Sequence, residues 1–209
     1  MLYLTPPSCD EAKQAISDGF FGQIVSPKSG EKIIEGAKWA LDNGCFSKVW
    51  SESRWTKNIV RYRGIPGCLF AVVPDVVADA QGTDRLWYEW ADFVKECGYK
   101  AAYVLQNGCT HIPDNADAVF TGGDTAWKLG PEASHWALEA RQRGLWIHMG
   151  RVNSLKRLRY ALSEGYDSAD GTFITYGPDK NVVTMSRWIQ KVHEEAGMSS
   201  HTGISHISI

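Results

Sequence analysis

Gly165-Tyr-Asp-Ser-Ala-Asp-Gly-Thr172 sets two carboxylates, Asp167 and Asp170, at the close of a short run of small residues. A carboxylate held at a strand end, with glycine clearing space beside it, can attack an anomeric carbon and carry the sugar as a glycosyl ester. Asp170 suits that part, whereas Asp167 also reads as a turn residue. Other polar residues follow apolar runs in the same way: Asp42 after 37–41, Asp75 after 69–74, Gln106 and Asn107 after 101–105, Gly122-Gly123-Asp124 after 118–121, and His148 after 145–147. One carboxyl group as general acid/base and a second as nucleophile would supply that chemistry. No Ser/His/Asp order, P-loop or metal-ligand spacing competes with them.

Each feature has a plainer reading. Asp42-Asn-Gly is also a turn signal. Asp75, flanked by Pro74 and two valines, is a costly carboxylate to bury without a donor; a capping role suits Asp79 better. The amides of Gln106 and Asn107 could read the edge of a planar base or simply satisfy a loop. Gly122 and Gly123 allow a ligand close to the backbone, and Trp127-Lys128 sets an aromatic face beside a cation. His148 joins the base-binding set by its strand-end position. Arg151, Lys156, Arg157 and Arg159 form a basic cluster at a helix start, where free N–H groups and the helix dipole favour phosphate; for Lys156, Arg157 and Arg159 a solvated helix face is the competing reading.

Apolar runs that hand over to Gly-punctuated polar turns are buried parallel strands delivering side chains to one rim. Such runs occur at 2–4, 23–26, 39–41, 69–73, 101–105, 118–120, 145–148 and 168–170. Helical patterns fill 10–18, 51–62, 84–97, 131–143, 153–164 and 182–196, with Pro131 at a start and Gly98, Gly144, Gly165 and Gly197 just past ends. Eight strands alternating with helices predict a compact (β/α)8 TIM-like barrel. Residues 1–197 form its single domain, and the Ser/His/Gly-rich 198–209 reads as a flexible tail.

A net charge of -2 on 209 residues excludes a generally polycationic protein, so any nucleic-acid contact must be local. Nine Trp exceed ordinary composition; some belong to a core and some could stack on bases. Five widely spaced Cys suggest neither a disulfide framework nor a zinc site. No signal peptide or membrane span is apparent, and a cytoplasmic protein without metal or cofactor is expected.

These residues together resemble the tRNA-guanine transglycosylase superfamily, over about residues 37 to 180. Asp42-Asn-Gly-Cys-Phe46 is similar to its Asp-Ser-Gly-Gly-Phe motif, and Asp75 to its acidic base-binding strand end. Val104-Leu-Gln-Asn-Gly108 is similar to Val-Gln-Gly-Gly, Gly122-Gly123 to its Gly-rich strand end, and Gly165-Tyr-Asp-Ser-Ala-Asp170 to its nucleophile motif. The family's Cys-rich zinc module has no counterpart, and Asn43 and Cys45 stand in for Ser and Gly. The resemblance implies the branch acting on DNA, whose members insert 7-deazaguanines or excise modified bases in phage defence, with tRNA a less fitting substrate. It further implies Asp170 as nucleophile and Asp42 as acid/base. Asp75, Gln106, Asn107, Gly122, Gly123 and His148 would contact the base; Lys128, Arg151, Lys156, Arg157, Arg159 and Trp127 would hold nucleic acid. A non-catalytic nucleic-acid-binding module and a small nucleoside or phosphosugar barrel enzyme are the alternatives.

Overall fold

In the computed structural model, which describes residues 1–28, 30–47 and 50–197, eight parallel strands close into a barrel in chain order. They are β1 (Leu2–Thr5), β2 (Phe21–Val25), β3 (Trp39–Leu41), β4 (Cys68–Val72), β5 (Ala101–Leu105), β6 (Ala118–Thr121), β7 (Trp146–Met149) and β8 (Ser168–Asp170). β8 pairs back onto β1, with Leu4 opposite Asp170. The helices are α1 (Asp10–Ser17), α2 (Glu52–Arg61), α3 (Ala80–Glu96), α4 (Thr125–Lys128), α5 (Pro131–Gln142), α6 (Leu155–Ser163) and α7 (Pro178–Glu195).

Period-two alternation sorts the strand residues into two cores. Leu4, Ile24, Ala40, Phe70, Val72, Ala102, Val104 and Ala118 pack together inside the barrel, with Leu2, Phe120 and Trp146 against them. Residues of the other parity, such as Tyr3, Phe21, Trp39, Tyr103 and Ile147, pack outward in the core shared with helical residues such as Trp55 and Trp87. Burial of a large apolar side chain there contributes roughly 2–3 kcal/mol. This parity has a consequence at the mouth. Asp42, Gln106, Gly122, Gly150 and Asp170 each lie two residues beyond an inward position, so the pleat aims them into the barrel's C-terminal opening.

The barrel is short because two crossovers carry no helix. Buried Gln23 does a helix's tethering between β2 and β3: its Nε2 donates to the Lys32 carbonyl and its Oε1 accepts from the Ile34 N–H, both at 2.9 Å. Between β5 and β6, Arg143 donates to the carbonyls of Ile112 and Pro113, each at 2.9 Å. The sequence reading locates every strand to within about two residues, as short apolar runs allow. It starts α3 four residues late, because Asp79 caps Gly82 N–H at 3.0 Å and admits Ala80 to the helix. α7 likewise begins earlier, at Pro178, and the short α4 carries no periodic signal. The expected tail lies outside the described residues. No described helix is long and apolar enough to cross a membrane.

Candidate active site

Asp170 ends β8 at the mouth. Its Oδ1 accepts from His148 Nε2 at 3.1 Å and from the Arg151 N–H at 3.2 Å. His148 is 0% exposed and lies against the rings of Phe70 and Phe120, with centroids 5.2 and 4.6 Å away. Trp146 Nε1 donates to Ser168 Oγ at 2.8 Å, and that hydroxyl meets His148 Nδ1 at 2.8 Å. A carboxylate only accepts, so the ring carries a hydrogen on Nε2, facing Asp170. Among the described residues nothing hydrogen-bonds Asp170 Oδ2, and the side chain is 21% exposed. One oxygen is held and the other is open to the mouth.

The loop after β7 is held at every backbone polar group from 150 to 152. Gly150 N–H donates to the Thr121 carbonyl, and the Gly150 carbonyl accepts from Lys128 Nζ at 2.6 Å. Arg151 N–H reaches Asp170, and its carbonyl accepts from Arg157 Nη1 at 2.9 Å. Val152 N–H donates to the Asp170 carbonyl, and the Val152 carbonyl accepts from Tyr3 Oη at 3.1 Å. Arg151 has φ 62°, a left-handed conformation costing a side-chain-bearing residue roughly 1–3 kcal/mol, tolerated where its surroundings over-determine it. Its guanidinium donates to the Gly123 carbonyl and lies 4.4 Å over the Phe46 ring.

Asp42 and Asp75 face the same opening. Burial raises the Asp42 carboxyl to about 7, with the charges of Asp170 and Asp75 adding to the rise and the backbone N–H groups of Gly44 and Asn43 opposing it. Asp42 therefore titrates near neutrality, so that it can both give and take a proton there, as a general acid and base must. Burial also raises Asp75. Hydrogen bonds to Oδ1 from Asn43 Nδ2, at 2.7 Å, and to Oδ2 from Gln106 Nε2, at 2.5 Å, oppose that rise, as does the Arg151 charge. The mutual influence of Asp42, Asp75, Asp170 and Arg151 puts all four at one mouth.

Beside Asp42 a cavity of about 200 Å³ opens between the β2 and β3 loops, lined by Lys28, Asn43, Phe46, Trp50 and Arg54 among others. Phe46 is 64% exposed. Neither Lys28 nor Arg54 enters an ion pair among the described residues. The pocket offers an aromatic face, two cations and a carboxyl that titrates near neutrality.

The structure brings many of the expected residues to the rim and revises what several of them touch. His148 has no face left for a base; it supports Asp170 from below. Gln106 is 1% exposed, and its Oε1 already accepts from Ala78 and Gly123 N–H at 2.8 Å, so it orders the loops around Asp75 instead of reading a base. Asn107 is engaged with Asp124 through both amide atoms. Gly122 and Gly123 are required by packing: a Cβ would fall 2.8 Å from Gln106 Nε2 in the first case and 2.4 Å from the Trp127 ring in the second. Trp127 is half-buried and bound to Glu132 through its indole N–H, 2.7 Å. Lys128 is 3% exposed and cannot reach an external phosphate. Arg157 is half-buried against the Arg151 carbonyl, and Arg159 pairs with Glu195 of α7 at 2.7 Å, away from the mouth. Lys156 is exposed on α6. Asn43 and Arg54 enter the site picture from the structure; the period-two step from Ala40 to Asp42 was the available signal for that sector.

No protein-family model matches the chain, and no curated protein sequence matches it. Among solved structures, the fold is similar to 3-hexulose-6-phosphate synthase from Salmonella typhimurium: TM-score 0.50, 14% identity, 93% of this chain and 98% of that one covered. At that identity the likeness speaks for the barrel, not for its chemistry.

Proposed function

We propose that this protein cleaves the N-glycosidic bond of a nucleotide in DNA, with Asp170 as nucleophile and Asp42 as general acid and then base. What supports the reading is the pairing at one mouth of a carboxylate with one tethered and one open oxygen and a second carboxyl whose pKa burial raises to about 7. The target nucleotide leaves its stack, at about a few kcal/mol, to enter the mouth. Asp170 Oδ2 bonds to C1′ as the C1′–N bond breaks; its electron pair stays on the base nitrogen, which takes the proton from Asp42. A water then gives its proton to Asp42 and its oxygen to C1′, releasing Asp170 and leaving an abasic sugar; a free base entering instead gives base exchange. Phe46, Lys28 and Arg54 would receive the flipped base and a neighbouring phosphate.

The test is incubation with phage DNA carrying modified bases and with unmodified DNA, followed by mass spectrometry of released bases and abasic sites. Release by the wild type and none by Asp170→Asn is expected. Full activity in Asp170→Asn removes the nucleophile, and an inert wild type on both DNAs removes the reading.

A second reading, a small phosphosugar or nucleoside barrel enzyme, draws on the likeness to 3-hexulose-6-phosphate synthase and on the habit of such barrels of binding phosphate after their last strands. Turnover of free nucleosides or sugar phosphates with no need for polymer would favour it.

A further inference from the structure

The peptide unit joining Gly150 to Arg151 is gripped at both ends. Its carbonyl oxygen accepts from Lys128 Nζ at 2.6 Å and its N–H donates to Asp170 Oδ1 at 3.2 Å. The bond is trans, so oxygen and hydrogen point opposite ways in one plane. Ammonium, peptide dipole and carboxylate therefore stand in series. An ammonium drawing density from a carbonyl makes the N–H on the same unit a stronger donor, as in other polarised hydrogen-bond chains.

Lys128 is an expensive residue in this place. Among the described residues it makes no ion pair. The charges facing it are Arg151 and Arg157, which oppose its ammonium, and Asp170, which favours it; burial outweighs them all and lowers its pKa to about 7. Taking a cation out of water without a paired anion is costly, so packing alone does not account for a lysine here.

We propose that Lys128 is a positioning residue: by holding the Gly150 carbonyl it turns and polarises the Arg151 N–H toward Asp170 Oδ1, keeping the carboxylate in the rotamer that leaves Oδ2 open for attack. The inference rests on Asp170 being the nucleophile.

The experiment uses the full chain with Lys128→Met, and with Lys128→Gln, which keeps a donor but no charge. The Arg151 amide proton, read by 1H–15N spectroscopy without substrate, should move upfield in the Met variant and by a smaller step in the Gln variant. Base release from phage DNA should fall about a hundredfold in kcat for Met and about tenfold for Gln, with KM within about twofold, the mark of lost orientation. Loss of the bond to the buried Gly150 carbonyl and removal of a desolvated charge act on thermal stability in opposite directions, so melting serves only to show that the variant is folded. An unmoved Arg151 amide in a folded variant overturns the proposal, as does kcat within about twofold of wild type. So does a rise in KM with kcat kept. If Lys128→Met fails to fold, Lys128→Gln carries the same readouts. Base release surviving in Asp170→Asn would sink the glycosidic reading instead, and the Arg151 signal would still decide the Lys128 contact.

Discussion

The β7–β8 sector of the mouth and the β2–β3 sector each contribute one carboxyl group to the chemistry proposed, yet they are built in opposite ways. Around Asp170, every backbone polar group from 150 to 152 is bonded, a histidine is buried beneath, and strain at Arg151 is held in place. Around Asp42 lie an open cavity, an exposed Phe46, and two cations that form no ion pair among the described residues. A nucleophile gains from preorganisation, because its orientation is then set before the substrate arrives. A substrate-receiving surface gains from access. The contrast teaches that rigidity in this rim is local and follows the reacting atoms.

Breaking the rigid sector should produce the largest effects. Asp170→Asn is expected to lower base release by about a thousandfold or more, with a folded protein by circular dichroism. Gly171→Ala should be severely destabilising, by roughly 2 kcal/mol or more in denaturant melts, since its Cβ would lie 2.2 Å from Asn153 Oδ1 and 2.8 Å from the Val152 carbonyl. The acid limb comes next. Asp42 must be protonated to serve the leaving base, so the rate should fall as pH rises through about 7, and Asp42→Asn should erase that limb along with most of the activity.

Stability carries the same sign. Below the ordinary value of 3.8 both folded and unfolded Asp42 hold a proton; from there up to about 7 only the folded chain does, so its contribution to stability is lost across that window. Melts of wild type and Asp42→Asn between pH 4 and pH 8 should converge at the acid end.

In the open sector the effects should be milder and of another kind. Phe46→Ala and Arg54→Ala should raise KM about tenfold while kcat and the melting temperature barely move; a matching fall in kcat would show that this sector is catalytic too. The smallest expected effect lies at Arg151. Both Arg151→Gly and Arg151→Ala lose the Gly123 bond, but glycine takes φ 62° without the strain that a Cβ brings, so the glycine variant should be the more stable by about 1 kcal/mol in denaturant titration.

Much of this was legible in the residues. Apolar runs ending at Asp42, Asp75 and Asp170 marked strand ends, and the helical patterns at 51–62 and 153–164 opened beside the residues that cap them, Ser51 and Ser154. The misreadings share one cause. His148, Gln106 and Lys128 stand where a rim residue would, and nothing near them in the chain says what covers them. Their covers are remote: Phe70 over His148, and Gly123 and Ala78 on Gln106. The glycine pair at 122–123 misled similarly, since the space it leaves is taken by Gln106 and Trp127 and not by a ligand.

What the chain determined unaided is its alternation of eight strands with helical segments and the parity that aims one set of side chains inward, because both are local and set by backbone periodicity. Which polar groups keep an open face in the mouth was decided only on closure. Bonds such as Tyr3 to Val152, spanning 149 residues, depend on a register that exists once β8 meets β1. Before β7 and β8 pair, Asp170 has no Arg151 N–H to orient it, and before the barrel forms His148 has no Phe70 ring against it.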